Sequence, residues 1–196
     1  MCATAAAPGS LEVIAGPMFA GKSEELLRRV RRAALAGIDT LVLTHAFDDR
    51  YAEGIATHTG DVMAAPAASD VEGLRALLAE HPDARVVALD EAQFFGPGLL
   101  PVVAELLDRG ATVIVAGLAV TFDAEPFPPV PELMALADEA LRLSAVCAVC
   151  GRDAPLHQRL RAGEAVSGAG EGLALTVDAV GGTESYQARC RLHHGR

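Results

Sequence analysis

Short apolar runs alternate along this chain with segments in which apolar residues recur every three or four positions. The runs predict buried strands and the spaced segments predict amphipathic helices, because side chains repeat about every 2.0 residues in a strand and 3.6 in a helix. Strands are predicted at residues 11–15, 40–44, 85–89 and 111–116, and helices at 23–36, from 69 through 78, and at 97–109. This alternation predicts an α/β fold with a mostly parallel sheet that is covered on both faces.

Local signals predict the ends of these elements and the division of the chain. Gly37 is predicted to end the first helix, and Ser69, three residues before Glu72, predicts a capping box that begins the second. Residues 45–60 are rich in Asp, Gly and Thr and predict a loop. Because cysteines and glycines become frequent after Ser144, we expect a flexible N-terminal tail at 1–10, an α/β domain at 11–143 and a small second unit at 144–196.

The composition excludes several classes of protein. The 196 residues are 51% hydrophobic and 21% charged, which is typical of a globular chain of one full domain with an appendage. No uncharged apolar run reaches the roughly 18 residues that a membrane-spanning helix needs, and residues 1–10 lack the parts of a secretory signal. We therefore expect a cytoplasmic protein with no membrane partner. The net charge of -10 argues against nucleic acid as the main partner.

The 16 basic residues include a single lysine, Lys22, which lies between the first predicted strand and the first predicted helix. The segment around it matches G-x-x-x-x-G-K-[ST], the P-loop, in the strand-to-helix context that this motif requires. Backbone amides and a helix N-terminus then surround phosphate oxygens, while the lysine reaches the phosphates and the serine is a ligand of Mg2+. Residues 11–143 are thus predicted to bind a nucleotide through Gly16, Pro17, Met18, Phe19, Ala20, Gly21, Lys22 and Ser23. The alternative is a glycine-rich turn that binds nothing.

Two carboxylates follow the apolar run at 86–89, namely Asp90 and Glu91. A P-loop needs a carboxylate at the end of a neighbouring strand, because Mg2+ is held from both sides. Asp90 is predicted to be that residue, and Glu91, just beyond the strand end, is predicted to be a general base. The pair could activate water, as in an ATPase, or a hydroxyl group, as in a kinase.

A metal site is predicted near the C-terminus, where Cys147 and Cys150 form one ligand pair and Cys190 and His193 form another. In a reducing cytoplasm, this set favours a structural Zn2+ over a disulfide. His194 competes with His193 as the fourth ligand, and the two-residue spacing favours His193. The 39 residues between the pairs would form a long tied loop. That loop could close over a ligand, or it could be an insertion in a structural zinc knuckle.

These motifs together resemble the zinc-containing (type II) thymidine kinase family with a P-loop core, from about residue 11 to 193. Besides the P-loop and the cysteines, the resemblance rests on Asp48-Asp49-Arg50-Tyr51, Asp90-Glu91-Ala92-Gln93-Phe94-Phe95, Gly117-Leu118, Pro126-Phe127 and Gly181-Gly182-x-x-x-Tyr186 before Cys190-Arg191. It implies a RecA-like core with a small zinc-bound lasso domain at 144–196. It further implies transfer of the ATP γ-phosphate to the 5′-hydroxyl of thymidine or deoxyuridine in pyrimidine deoxynucleotide salvage.

The same resemblance implies roles for individual residues. Glu91 would take the hydroxyl proton, Asp90 and Ser23 would serve Mg2+, and Lys22 with the P-loop amides would hold phosphate. Arg50 would lie near the phosphates, and Gln93 would lie beside this ATP and Mg2+ set and hold the end of the catalytic strand in register. The nucleoside would be held by Phe94, Phe122, Ala179, Val180, Gly181 and Tyr186. The family also implies a homotetramer, feedback by thymidine triphosphate and closure of the tied loop on its ligand.

Three departures from the family pattern concern nucleoside choice more than chemistry. Ala119 stands where the family usually has Asp, His157 where Thr is common, and Thr44-His45 where Lys-Pro is frequent.

Two other interpretations of the function remain open on the residues alone. One is a RecA-like P-loop ATPase with a nucleic-acid-binding zinc ribbon, and the other is a zinc-dependent interaction module with an inert P-loop.

Overall fold

A computed structural model describes residues 8–46, 55–56, 62–161, 164–165 and 185–195, and its centre is a six-stranded sheet. The strands are β1 (Ser10–Ala15), β2 (Thr40–His45), β3 (Ile55–Ala56), β4 (Val62–Met63), β5 (Ala67–Ala68), β6 (Val86–Leu89), β7 (Thr112–Gly117), β8 (Glu139–Arg142), β9 (Ala145–Val146), β10 (Asp153–Ala154), β11 (Leu156–Arg161), β12 (Glu164–Ala165) and β13 (Tyr186–Arg189). The helices are α1 (Lys22–Leu35), α2 (Val71–Glu80), α3 (Leu99–Asp108) and α4 (Val130–Leu136), with a short 3-10 helix at Ala92–Phe95.

The central sheet has the strand order β5-β2-β6-β7-β1-β8, and its neighbouring strands are all parallel. The prediction of an α/β fold with a mostly parallel sheet is therefore confirmed. Because the strands are parallel, β1, β6 and β7 all end at the same edge of the sheet. The P-loop after β1, the carboxylates after β6 and Gly117 at the end of β7 meet at that edge.

Two hydrophobic layers, one on each face of the sheet, explain why most residues of the central strands are apolar. On β1, Val13 belongs to the layer shared with α2, α3 and α4, whereas Ile14 belongs to the layer shared with α1. The same alternation holds on β7, where Val113 faces one layer and Ile114 the other. A strand buried on both faces has no polar side to show, so it lacks the alternation typical of a half-exposed strand.

The second helix begins one residue away from the predicted capping box. Asp70, not Ser69, is the N-cap, and its side-chain oxygen accepts the backbone N–H of Gly73 at 2.8 Å. Asp and Ser cap helices about equally well, so the sequence offered two neighbouring caps, and Ser69 looked better only because Glu72 lies three residues later. The predicted tail at 1–10 is also too long, because Ser10 pairs with Thr112 as the first residue of β1.

The elements that were not predicted are α4, β8, the 3-10 helix and the strands β3, β4, β5, β9, β10, β11, β12 and β13. Strand β8 is mostly exposed and lies at the sheet edge, so its sequence lacks an apolar run. Its pairing with β1 is supported by Arg29 of α1, which binds Glu12 on β1 and Glu139 on β8. Local sequence does not reveal this tertiary ion pair.

After residue 144 the strands form small antiparallel sheets, in which β9 pairs with β10 and β11 pairs with β12 and β13. Strands β3 and β4 form another small antiparallel pair within the region predicted as loop and just beyond it. Among the described residues, no helix has the length and apolar character needed to cross a membrane.

Candidate active site

The P-loop connects β1 to α1 in a conformation that needs its glycines. Gly21 has a φ of 80° at the N-cap of α1, and a side chain at Gly16 would come within 2.9 Å of the Leu143 carbonyl oxygen. Phe19 also has a positive φ, 66°, which is uncommon for a residue with a side chain. Lys22 is buried, and its Nζ donates to the carbonyl of Pro17 at 2.9 Å, so its ammonium group lies across the loop.

Asp90 and Ser23 form the second part of the site. Asp90 follows β6, and its backbone N–H donates to the carbonyl of Leu43 at 3.0 Å, which extends the pairing with β2. Burial and the adjacent charge of Glu91 raise the pKa of Asp90 well above its usual range, against hydrogen bonds from Ser23 and the Glu91 backbone. A carboxylate and a hydroxyl group thus lie in contact in a buried place. Oxygen ligands of this kind fit Mg2+.

Glu91 is held in place by Gln93. The backbone of Glu91 has a φ of 53°, in the left-handed region, where the chain turns from β6 into the short 3-10 helix. Gln93 Nε2 donates to Glu91 Oε2 at 2.5 Å, and Gln93 Oε1 accepts the backbone N–H of Leu118 at 2.9 Å. Only 1% of Gln93 is exposed, so its amide has a single well-defined orientation.

The link between Gln93 and the end of β7 also explains Gly117. A side chain at Gly117 would come within 2.7 Å of Gln93 Oε1, so only glycine leaves room for the amide. The resemblance implies that Gln93 lies beside the ATP and Mg2+ residues and holds the strand end, and its described contacts are with Glu91 and Leu118. The sequence signal for such a contact was a polar residue within the apolar segment Ala-Gln-Phe-Phe, because a polar side chain that becomes buried needs hydrogen-bond partners.

Three of the predicted nucleoside-binding residues, Phe94, Phe122 and Tyr186, lie among the described residues. The Phe94 ring packs edge-on against Phe127 at a centroid distance of 6.3 Å and also lies 5.7 Å from the ring of His45. The Phe122 ring lies under the Arg159 guanidinium group, 5.8 Å from Cζ. Tyr186 is buried on β13. The remaining predicted site residues Arg50, Ala179, Val180 and Gly181 lie outside the described residues.

His157 is a buried imidazole beside this region. It is 2% exposed, its ring packs against Tyr186 at 5.9 Å, and its Nδ1 has no hydrogen-bond partner among the described residues. Burial lowers the pKa of His157 to about 3, and the charges of Lys22 and His194 add to that effect. The imidazole is therefore neutral at physiological pH.

The four predicted metal ligands come together. The ligand atoms of Cys147, Cys150, Cys190 and His193 all lie within 4.8 Å of one another. The Cys150–Cys190 sulfur distance is 3.7 Å, and His193 Nδ1 lies 3.7 Å from Cys147 Sγ and 3.3 Å from Cys190 Sγ. Tetrahedral zinc with bonds of about 2.3 Å to sulfur and 2.0 Å to nitrogen places its ligands about 3.5 to 3.8 Å apart. The donor set thus fits zinc.

Two further observations concern the chemistry of this cluster. Desolvation raises the pKa of the Cys147 thiol. Hydrogen bonds from the backbone N–H groups of Cys190, Val149 and Cys150 and from the His193 side chain outweigh this effect, so the pKa is lowered to about 5. Cys147 is therefore a thiolate at neutral pH, the form that binds metal. The other candidate ligand, His194, points elsewhere, with its Nε2 2.8 Å from the carbonyl oxygen of Phe122.

The small hydrophobic core around Cys147 and Cys190 also contacts the P-loop. Phe19 and Ala20 pack against the buried group that contains Cys147 and Cys190. The cysteine turns and the phosphate-binding turn therefore share one small hydrophobic core.

Comparisons with known proteins agree with this arrangement. The sequence model of the thymidine kinase family matches residues 9–194. A thymidine kinase from Deinococcus deserti is 48% identical over 95% of this chain and 94% of its own length. Thymidine kinases from Coprothermobacter proteolyticus and Deinococcus radiodurans are 46% and 44% identical, each over 95% of this chain and 90% of its own length. With its P-loop, carboxylate pair and Cys3His cluster in one fold, this chain belongs to the thymidine kinase family.

Proposed function

We propose that this protein transfers the γ-phosphate of ATP to the 5′-hydroxyl of thymidine or deoxyuridine, with Glu91 as the general base. The observation that carries the proposal is the hydrogen bond from Gln93 to the Glu91 carboxylate at the edge of the sheet where the P-loop lies. A carboxylate fixed by a buried amide, next to a phosphate-binding loop, is suited to take a proton from a bound hydroxyl group.

The proposed reaction uses the chain's own groups as follows. Glu91 accepts the 5′-hydroxyl proton as the hydroxyl oxygen bonds to the γ-phosphorus, and the bond from that phosphorus to the β,γ-bridging oxygen breaks to release ADP. Lys22 and the P-loop amides stabilise the negative charge that spreads over the phosphate oxygens. When bound, Mg2+ would be held by Ser23 and Asp90 and would neutralise part of the negative charge on the phosphates. It would also favour the ionised form of Asp90, whose pKa is raised by burial.

Nucleoside binding is assigned on the family resemblance together with the aromatic placement. Phe94 and Phe122 would pack on the pyrimidine, since flat rings provide large contact at low entropic cost. Tyr186 and the backbone of Ala179, Val180 and Gly181 would hold the nucleoside from the tied loop, and Arg50 would lie near the phosphates. His157 would be the departure closest to the base, because it replaces a hydroxyl side chain by an imidazole.

We further propose, on the family resemblance alone, a cytoplasmic homotetramer that takes part in pyrimidine deoxynucleotide salvage and is inhibited by thymidine triphosphate. We propose Zn2+ as the metal of the Cys3His cluster, since the donor set and spacing suit tetrahedral zinc. In this proposal the metal is structural and joins the base of the tied loop to the P-loop.

The test is transfer of labelled phosphate from ATP with Mg2+ to thymidine, deoxyuridine, deoxycytidine and deoxyguanosine, with a control that lacks nucleoside. We expect label on thymidine or deoxyuridine and little release of phosphate in the control. Steady hydrolysis in the control, with no labelled nucleoside, would instead favour an ATPase in which Asp90 and Glu91 activate water. Failure to bind ATP would favour an interaction module.

A further inference from the structure

The chain after the metal ligand Cys190 forms a tight turn whose shape depends on the ligands themselves. The backbone N–H groups of His193 and His194 donate to the carbonyl of Cys190 at 2.9 and 3.0 Å. Cys190 and His193 are both members of the Cys3His cluster. A metal bound by these two side chains would therefore hold the turn at residues 190–195 in one conformation.

His194 and Gly195 of this turn contact two other parts of the protein. His194 Nε2 lies 2.8 Å from the carbonyl oxygen of Phe122, and because a carbonyl only accepts, Nε2 must carry the proton and donate it. The backbone N–H of Gly195 donates to Gln158 Oε1 at 2.8 Å, and Gln158 on β11 is almost fully buried. The turn thus ties β11 to the loop that carries Phe122.

Phe122 is held from the C-terminal unit at both its backbone and its ring. The backbone carbonyl accepts the His194 hydrogen bond, and the Arg159 guanidinium group lies 5.8 Å from the ring centroid. Within residues 119–127, the described bonds between backbone groups are local ones, such as Thr121 N–H to Glu125 O at 2.8 Å and Phe127 N–H to Ala119 O at 3.0 Å. These local bonds shape the loop but do not attach it to the metal centre.

We propose that His194 is a positioning residue. Its hydrogen bond connects the turn that the metal would hold rigid to the backbone of Phe122, and the position of Phe122 in turn sets the affinity for the nucleoside. The step from Phe122 to the nucleoside rests on the proposed function, while the step from the metal centre to Phe122 rests on the hydrogen bonds alone. In this proposal the adjacent residues His193 and His194 have different roles. The first is a metal ligand, and the second joins the metal turn to the substrate loop.

The test compares the full-length protein with His194→Ala and His194→Gln. Glutamine keeps an N–H donor at a similar reach, so it is the conservative variant. For each protein we would measure the zinc content, the amide hydrogen exchange of residues 118–127, and the kcat and KM for thymidine. Exchange reports the order of the loop without any requirement for activity.

For His194→Ala we expect a full zinc content and exchange at residues 118–127 that is about twofold to tenfold faster, the range set by loss of one hydrogen bond. The KM for thymidine should rise by a similar factor while kcat changes by less than about twofold, and His194→Gln should restore both values. Unchanged exchange in the zinc-loaded alanine variant, loss of zinc, or no rescue by glutamine would overturn the proposal. If the parent protein does not phosphorylate thymidine, the proposed function fails, and the exchange comparison still decides the role of His194.

Discussion

Substitution of Gln93 by Glu tests the contact on which the proposed general base depends. The variant keeps an oxygen that can accept the Leu118 N–H, at 2.9 Å in the parent, but it replaces the donor to Glu91 by a second carboxylate oxygen. Two carboxylates so close share one proton, because the charge on the first strongly disfavours ionisation of the second. A general base that shares a proton is inactive until a higher pH.

The size of the effect follows from the separation of the two groups. At the observed 2.5 Å between side-chain atoms and an effective dielectric constant of about 20, two unit charges repel by about 7 kcal/mol, or about 5 in pKa. Relaxation and water reduce this upper limit. We therefore expect the pKa that governs the acid limb of kcat/KM to rise by about 2 to 4 in Gln93→Glu.

The assay is the pH dependence of kcat/KM for thymidine in the parent, in Gln93→Glu and in the matched control Gln158→Glu. Gln158 is as buried as Gln93, at 1% exposure each, and its oxygen also accepts a backbone N–H, that of Gly195. The control makes the same chemical change without a described contact to Glu91. An acid limb at the same pH in Gln93→Glu and in the parent, with ATP still bound, would refute the assignment of Glu91 and Gln93.

Three other predictions concern the helix cap, the buried imidazole and the metal. Asp70→Ala should lower the free energy of unfolding by about 1 kcal/mol, and Ser69→Ala should change it less in chemical denaturation; equal effects would contradict the observed cap. Because the pKa of His157 is lowered from 6.5 to about 3, the unfolded chain takes up its proton first, so stability present above pH 6.5 is lost as the pH falls toward 3. Between about pH 7 and pH 5 the parent should lose about 2 kcal/mol more stability than His157→Gln, and parallel stability curves would contradict this. Removal of the metal should weaken ATP binding as well as thymidine binding, since Phe19 packs against the small hydrophobic core that contains Cys147 and Cys190; unchanged ATP affinity in calorimetric titration of the metal-free protein would count against this coupling.

Much of the fold could be predicted because its strands are buried on both faces. Residues 11–15 and 111–116 are apolar except for Glu12 and Thr112, and the structure places β1 and β7 side by side at the centre of the sheet. The P-loop could be predicted because its glycines and Lys22 are adjacent in sequence and form a local structure. Strand β8 lacked such a signal, since its residues are mostly exposed and its ion pair with Arg29 joins positions 110 residues apart.

For the candidate site, the sequence indicated which residues meet but not all of the bonds between them. The spacing from Cys190 favoured His193 over His194, and the structure brings His193 to the three cysteines. The contact of His194 with Phe122 spans 72 residues, and that of Gln93 with Leu118 spans 25. Neither pair has a local pattern, because each depends on how separate loops pack once the sheet has formed.

The most direct test of the central claim is the rate of phosphate transfer from ATP to thymidine by Glu91→Gln, measured together with ATP binding. The substitution preserves size and removes the ability to accept the hydroxyl proton. We expect ATP affinity close to that of the parent and a transfer rate lower by about 100-fold or more. A transfer rate above about one hundredth of the parent rate would show that another group takes the proton, and Glu91 would no longer be the base.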